Sequence, residues 1–204
     1  NTWKAIGVSG GDLSFFQNFF VKFYQAFIEA DRWLQYLNGV KTTLLVTALA
    51  LILGVALGVT VAILRTAHDQ QRPGHRNPVL AVLNLVCKIY VTVIRGTPMM
   101  VQLLIMGFVI FASSRNFTMI GTLTLGINSG AYVSEIIRGG LMSLDIGQSE
   151  AGRPLGLNYI DTMRFIVVPQ AFKAILPSLG NEFIVPLKDT SLSSIIGVPA
   201  MVYF

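Results

Sequence analysis

The sequence predicts an all-α integral membrane protein, and three observations lead to this fold class. Of the 204 residues, 53% are hydrophobic and only 12% are charged, whereas about a quarter are charged in an average soluble domain. Residues 44–64 contain no charged side chain. As a helix this run would be about 31 Å long, which matches the hydrocarbon core of a bilayer. Further apolar blocks follow it, separated by Gly, Pro and charged residues.

Residues 1–40 form an aromatic lead-in to the first predicted span. Aromatic residues recur there at three-and-four spacing, which predicts an amphipathic helix. They are Phe15, Phe16, Phe19, Phe20, Phe23, Tyr24 and Phe27. Two interpretations stay open: a helix lying in the membrane interface, and a lead-in packed against neighbouring helices.

The first predicted span, residues 44–64, carries Gly54 and Gly58 on one face, a spacing that lets another helix approach closely. The loop after it, residues 65–78, is rich in Pro, Gly and Arg. Cytoplasmic loops carry an excess of Lys and Arg. We therefore expect this loop in the cytoplasm and the N-terminus outside.

The second apolar block, residues 79–112, would be about 50 Å long as one helix, which exceeds the bilayer core. Arg95-Gly-Thr-Pro98 interrupts it. Gly96 and Pro98 predict a structural kink, with Pro98 in the first turn of the next helix. A functional role for this motif stays open beside the structural one.

The third block, residues 117–137, places Thr124, Asn128, Tyr132 and Glu135 on one helix face. Polar residues within spans usually face a bundle interior or an aqueous cavity. Thr124, Asn128 and Tyr132 are therefore candidates for a substrate pathway. For Glu135, near the end of the block, we expect pairing with an arginine, either Arg138 or Arg95.

The fourth block, residues 171–187, contributes Asn181 and Glu182 to the candidate pathway. Glu182 has two open interpretations, a hydrogen bond between helices or a contact with substrate. A further apolar stretch, residues 192–204, follows. Four spanning segments are thus predicted, and the topology leads us to expect a fifth beyond residue 204.

Several motifs occur in order between about residues 30 and 200. Arg95-Gly-Thr-Pro98 is followed by Asn128-Ser-Gly-Ala-Tyr132, by Glu150-Ala151 with Gly156, and by Lys188-Asp-Thr-Ser. This series resembles the permease subunits of bacterial polar amino-acid ABC importers. The resemblance implies a type I ABC importer permease-like helical bundle over residues 41–204, in the bacterial cytoplasmic (inner) membrane. It also implies ATP-driven import of polar amino acids.

The resemblance further implies a cytoplasmic coupling loop over residues 141–170. Glu150, Ala151, Arg153 and Gly156 would contact a separate ATPase, with residues 150–169 as the coupling helix and its exit. Gly152 and Pro154 depart from the helix-favouring residues usual in this loop. Because proline is disfavoured inside a helix, we expect the coupling helix to begin near Pro154.

The implied partners are two cytosolic ATP-binding subunits and a second permease subunit, either the same chain or a close relative. An extracytoplasmic amino-acid-binding protein, separate or fused, and membrane lipid complete the set. The chain has no Gly-x-x-x-x-Gly-Lys-Ser/Thr loop. We therefore expect ATP and Mg²⁺ on the partner ATPase and no cofactor in this chain.

The sequence predicts neither catalytic residues nor a metal site, since His68 and His75 lack a matching ligand set. The net charge of +5 is not interpreted as a nucleic-acid-binding surface, because the distribution of Lys and Arg matters more in a membrane chain. Two other function classes stay open. A passive channel would conduct without ATP, and a membrane-embedded enzyme would need its acids clustered at one depth.

Overall fold

We analysed a computed structural model of the chain, which describes residues 14–71, 77–144, 154 and 156–199. Within these residues the protein is helical and contains no β-strand. The all-α prediction is therefore confirmed for this part of the chain.

Helix α1, Phe15–Phe27, carries the aromatic residues of the lead-in, and they are exposed. Phe19, Phe23 and Phe27 stack along one side, with ring centroids 6.3 and 4.9 Å apart. A short 3-10 turn, Glu29–Asp31, connects α1 to the next helix. At the C-terminal end of this row, the Phe27 ring contacts Tyr36 in the following helix, with ring centroids 5.3 Å apart.

Helix α2, Arg32–Asp69, has 38 residues and a length of about 57 Å. It includes the charge-free run and continues past it at both ends. Helix α3 covers Pro78–Gly96 and begins at an N-cap where Asn77 Oδ1 accepts from Val79 N at 2.9 Å. Among the described helices, α2 and α3 are long and apolar enough to cross a membrane.

Helix α4, Met99–Ile105, continues the second apolar block after an interruption and runs into a π turn, Met106–Ile110. Together these two segments form a shorter apolar helix. Helix α6, Tyr159–Thr162, leads through a second π turn, Met163–Val167, into helix α7, Val168–Asp189. A final 3-10 turn covers Leu192–Ile196.

Helix α5, Phe117–Met142, lies at the centre of the bundle, and twelve of its residues are buried. Glycines bring its backbone close to α2. A Cβ atom added at Gly54 would lie 2.8 Å from Ser129 Cβ, and one at Gly58 would lie 2.5 Å from Val133 Cγ1. No side chain fits at either glycine without movement, so the Gly54/Gly58 pair serves close helix packing.

Most hydroxyl groups in the bundle are bonded within their own helix. Thr47 donates to Thr43 O at 2.8 Å and Thr124 donates to Ile120 O at 2.7 Å. Ser134 donates to the carbonyl of Ala131, again at 2.8 Å. These polar groups are therefore satisfied without a neighbouring helix.

Many of the buried apolar side chains of the described residues form two clusters around α5. The larger cluster joins α2, α4, α5 and the chain after α7 (Val46, Ala50, Leu103, Ile120, Leu125, Ile196 and Val198). The smaller one joins α2, α3 and α5 (Val61, Cys87, Val91 and Ala131). Large apolar side chains on the outer faces of α2 and α3 remain exposed, as expected of helices that face lipid or another subunit.

Candidate functional site

An open cleft of about 380 Å³, lined by both polar and apolar groups, lies where the second apolar block is interrupted. Residues 95–99 form one side of it, Asn128 and Tyr132 of α5 another, and Val185 and Asp189 of α7 the third. The cleft therefore joins three segments that are far apart in the sequence.

The interruption between α3 and α4 shapes this cleft. Helix α3 ends at Gly96, Thr97 has extended backbone angles, and Pro98 is the N-cap of α4. The buried side chain of Gln102 spans the gap, with Nε2 donating to Ile94 O at 2.7 Å and to Thr97 O at 3.0 Å. The unwound residues are thus held by specific hydrogen bonds.

The cleft holds one cation and one anion. The Arg95 guanidinium lies over the Tyr132 ring, 5.1 Å from its centroid, and is partly exposed. Asp189, at the end of α7, supplies a carboxylate. A ligand that carries both charges would be complementary to this pair.

Next to the cleft, Glu135 interacts with two arginines. Arg65 of α2 donates a hydrogen bond to Oε1, and Arg95 Nη1 lies 3.9 Å from Oε2. Arg138 instead contacts Asp69, with its Nη2 3.1 Å from Oδ2. Of the two partners expected for Glu135, the structure places only Arg95 near it, and it adds Arg65.

The structure brings some of the predicted pathway residues together and separates others. Asn128 and Tyr132 line the cleft. Thr124 is 2% exposed and lies beside a separate apolar cavity of about 220 Å³. Asn181 is exposed, and it is not among the residues that line the cleft. Glu182 is buried and accepts a hydrogen bond from Ser129 at 3.0 Å, as in its interpretation as a bond between helices.

Of the predicted coupling residues, Glu150, Ala151 and Arg153 lie outside the described residues. Gly156 has φ of +74°, in the left-handed region that favours glycine. A Cβ atom added there would meet no heavy atom of the described residues within 4 Å. The backbone conformation, and not packing within the described chain, is therefore what favours glycine at this turn.

Sequence reasoning did not assign Arg95, Gln102 or Asp189 to the pathway. Arg95 and Asp189 belong to the motifs that carry the resemblance, so for these two residues the motifs contained the signal. Asp189 also lies seven residues after Glu182, and this spacing places it on the same helix face.

Residues 79–203 match the profile of a family described as the binding-protein-dependent transport system inner membrane component. The chain is 36% identical over 169 residues to the glutamine transport system permease protein GlnP of Escherichia coli (strain K12), covering 79% of this chain and 71% of that protein. It is 35% identical over 172 residues to the arginine transport system permease protein ArgU of Corynebacterium glutamicum, covering 77% of this chain and 50% of that protein.

Among solved structures, a crystal structure of an amino acid ABC transporter with histidines is 36% identical. It superposes with a TM-score of 0.73 over 94% of this chain and 80% of that one. Inward-facing MetNI methionine ABC transporter structures match at 18% identity with a TM-score of 0.68, which supports the fold alone.

The fold and the broken-helix cleft therefore define an integral membrane permease of the type I ABC importer class. The chain belongs to the binding-protein-dependent transport system inner membrane component family. The resemblance found in the sequence motifs is confirmed.

Proposed function

We propose that this chain is the permease subunit of a bacterial ABC importer for polar amino acids, with the cleft between α3, α4, α5 and α7 as part of its translocation pathway. The relatives named for glutamine and arginine transport support this substrate class. The observation that carries the proposal is the presence of Arg95 and Asp189 in the lining of one cleft. Amino acids carry both a carboxylate and an ammonium group, and opposite charges in the wall are complementary to them.

In this proposal Asn128 and Tyr132 contact the passing substrate. Thr124 and Glu182 support the pathway wall from within the bundle, because their polar groups already have partners in the chain. The arginine-rich segment after α2 faces the cytoplasm, which places the N-terminus outside.

Two cytosolic ATP-binding subunits would dock on the coupling loop around residues 150–169 and supply the ATP and Mg²⁺ chemistry. A second permease subunit, the same chain or a close relative, would complete the pathway. An extracytoplasmic binding protein, separate or fused, would deliver the substrate. Closure of the ATPases would move the coupling loops and switch access by rigid-body motion.

The docking role can be tested by a pull-down of the tagged full-length chain from native membranes, with partners identified by mass spectrometry. We expect an ATP-binding subunit with the wild type, and its loss with Gly156→Asp or Glu150→Lys. Any side chain at Gly156 is strained by the φ of +74°, so loss of the partner with Glu150→Lys is the result that assigns the effect to the interface. Gly180→Ala is the control for a substitution that leaves the packing undisturbed, because an added Cβ there meets no atom of the described residues within 4 Å.

The transport role can be tested in proteoliposomes that contain the permease and the recovered ATPase, with the binding protein outside. We expect uptake of labelled glutamine or arginine that requires ATP. Solute flux that continues without ATP would contradict the proposal and favour a passive channel.

A further inference from the structure

The break between α3 and α4 removes a backbone hydrogen-bond donor from the bundle. In a continuous helix the carbonyl of Ile94 would accept from the backbone N–H of residue 98. Residue 98 is proline, which has no N–H. At membrane depth, where water does not reach lipid-facing backbone, such a carbonyl needs another donor.

Gln102 supplies that donor from the first turn of α4. Its Nε2 lies 2.7 Å from Ile94 O, 3.0 Å from Thr97 O and 2.8 Å from Thr97 Oγ1. Its two amide hydrogens are thus shared among three oxygens. One side chain therefore fastens the end of α3 to the unwound residue and to the start of α4.

The other end of the same amide bonds to a residue that lines the cleft. Gln102 Oε1 accepts a hydrogen bond from Asn128 Nδ2 at 3.1 Å. Gln102 and Asn128 are each 8% exposed, so this bond lies in a low-dielectric interior where hydrogen bonds are strong. Asn128 also lines the cleft.

We infer that Gln102 is a positioning residue that joins the α3–α4 break and the Asn128 carboxamide into one unit. A displacement of the Asn128 carboxamide, such as one caused by contact with a substrate, is thereby transmitted to the backbone at the α3–α4 break. The inference rests on the proposed function for its consequence in transport, but the structural link can be tested without transport.

The first test measures hydrogen–deuterium exchange of the full-length permease–ATPase complex in lipid nanodiscs. Gln102→Leu should raise the exchange rate of residues 94–103 by about tenfold, as expected when about 1.4 kcal/mol of hydrogen bonding is lost. Asn84→Leu is the matched control, because Asn84 is an amide on α3 that contacts His68, 3.1 Å away, and not the break. Unchanged exchange in Gln102→Leu would overturn the inference.

The same measurement tests the link to the cleft. Asn128→Ala should also raise exchange in residues 94–103, and the Gln102→Leu/Asn128→Ala double variant should exchange no faster than Gln102→Leu alone. Independent residues would instead show additive effects. Additivity would overturn the link even if each single variant had an effect.

In proteoliposomes, Gln102→Leu should lower the maximum uptake rate per complex about tenfold, for the same lost hydrogen bonding. The concentration of loaded binding protein at half-maximal rate should stay unchanged. In the Asn128→Ala background the same substitution should lower the rate less than about twofold. If the wild-type complex transports no amino acid, the proposed function fails, and the exchange measurements still decide the role of Gln102.

Discussion

The Ser129 hydroxyl donates a hydrogen bond to Glu182 Oε1 at 3.0 Å, and both residues are buried. The bond joins the centre of α5 to α7. Together with the bond between Asn128 and Gln102, it fixes the surroundings of the cleft from inside the bundle.

Ser129→Ala should lower the free energy of unfolding by about 1–3 kcal/mol, because it removes the donor from a buried carboxyl group. Glu182→Gln keeps an acceptor oxygen and should cost less than about 1 kcal/mol. Thermal unfolding of the purified chain, followed by a thiol-reactive dye at the buried Cys87, measures both. The opposite ranking would show that Ser129 does not support Glu182.

Gly58→Ala should destabilise the chain by about 1–3 kcal/mol, because the added Cβ would lie 2.5 Å from Val133 Cγ1 and push α2 from α5. Gly139→Ala is the same substitution at a helical position where the added Cβ meets no other part of the described chain within 4 Å. It should leave stability unchanged or raise it by up to about 1 kcal/mol. The dye assay at Cys87 applies again, and equal effects of the two variants would rule out close packing as the reason for Gly58.

Glu135→Gln should lower stability by about 2 kcal/mol, between the values for exposed and buried ion pairs. It leaves Arg65, whose side chain is 12% exposed, without a carboxylate. Arg138→Gln breaks the more exposed pair with Asp69, whose side chain is 45% exposed, and should cost less than about 1 kcal/mol. Denaturation in detergent compares the stability of the two variants. A larger loss of stability in Arg138→Gln would contradict the assignment of Glu135 to the more buried ion pair.

Tyr132→Phe should retain ATP-dependent uptake, since the ring that faces Arg95 is preserved. Tyr132→Leu should lower uptake about fivefold, the factor that corresponds to losing a cation–π contact of about 1 kcal/mol. Thr124→Val serves as the control, because Thr124 bonds within its own helix and does not line the cleft. Initial uptake rates in proteoliposomes measure these effects. Loss of uptake in Thr124→Val would show that Thr124 belongs to the pathway.

The sequence was sufficient for the fold class and for the helix contacts that depend on local spacing. The charge-free run lies inside α2, and Gly54 and Gly58 face α5, because hydropathy and glycine spacing are local properties of one helix. The partners of Glu135 were not predictable in the same way. Arg65 is seventy residues away in the sequence, and periodicity does not tell which helices become neighbours.

The residues that α7 contributes to the cleft were also not predictable from local sequence patterns. Asn181 is a polar residue at mid-block, yet Val185 and Asp189 supply the lining there. Asn181 lies four residues before Val185 and on the same face of α7, so it is one turn too far along the helix to line the cleft. Only the position of α7 against α5, which the sequence does not encode locally, selects the turns of α7 that line the cleft.

The hydroxyls that bond within their own helices have a consequence for biogenesis. A helix that enters the bilayer alone, before its neighbours, must satisfy its own polar groups. Thr47, Thr124 and Ser134 already do so through backbone carbonyls of the same helix. Helix α2 therefore suits release into lipid before its neighbours, whereas Asn128 and Ser129 of α5 gain their partners on other helices only when the helices assemble.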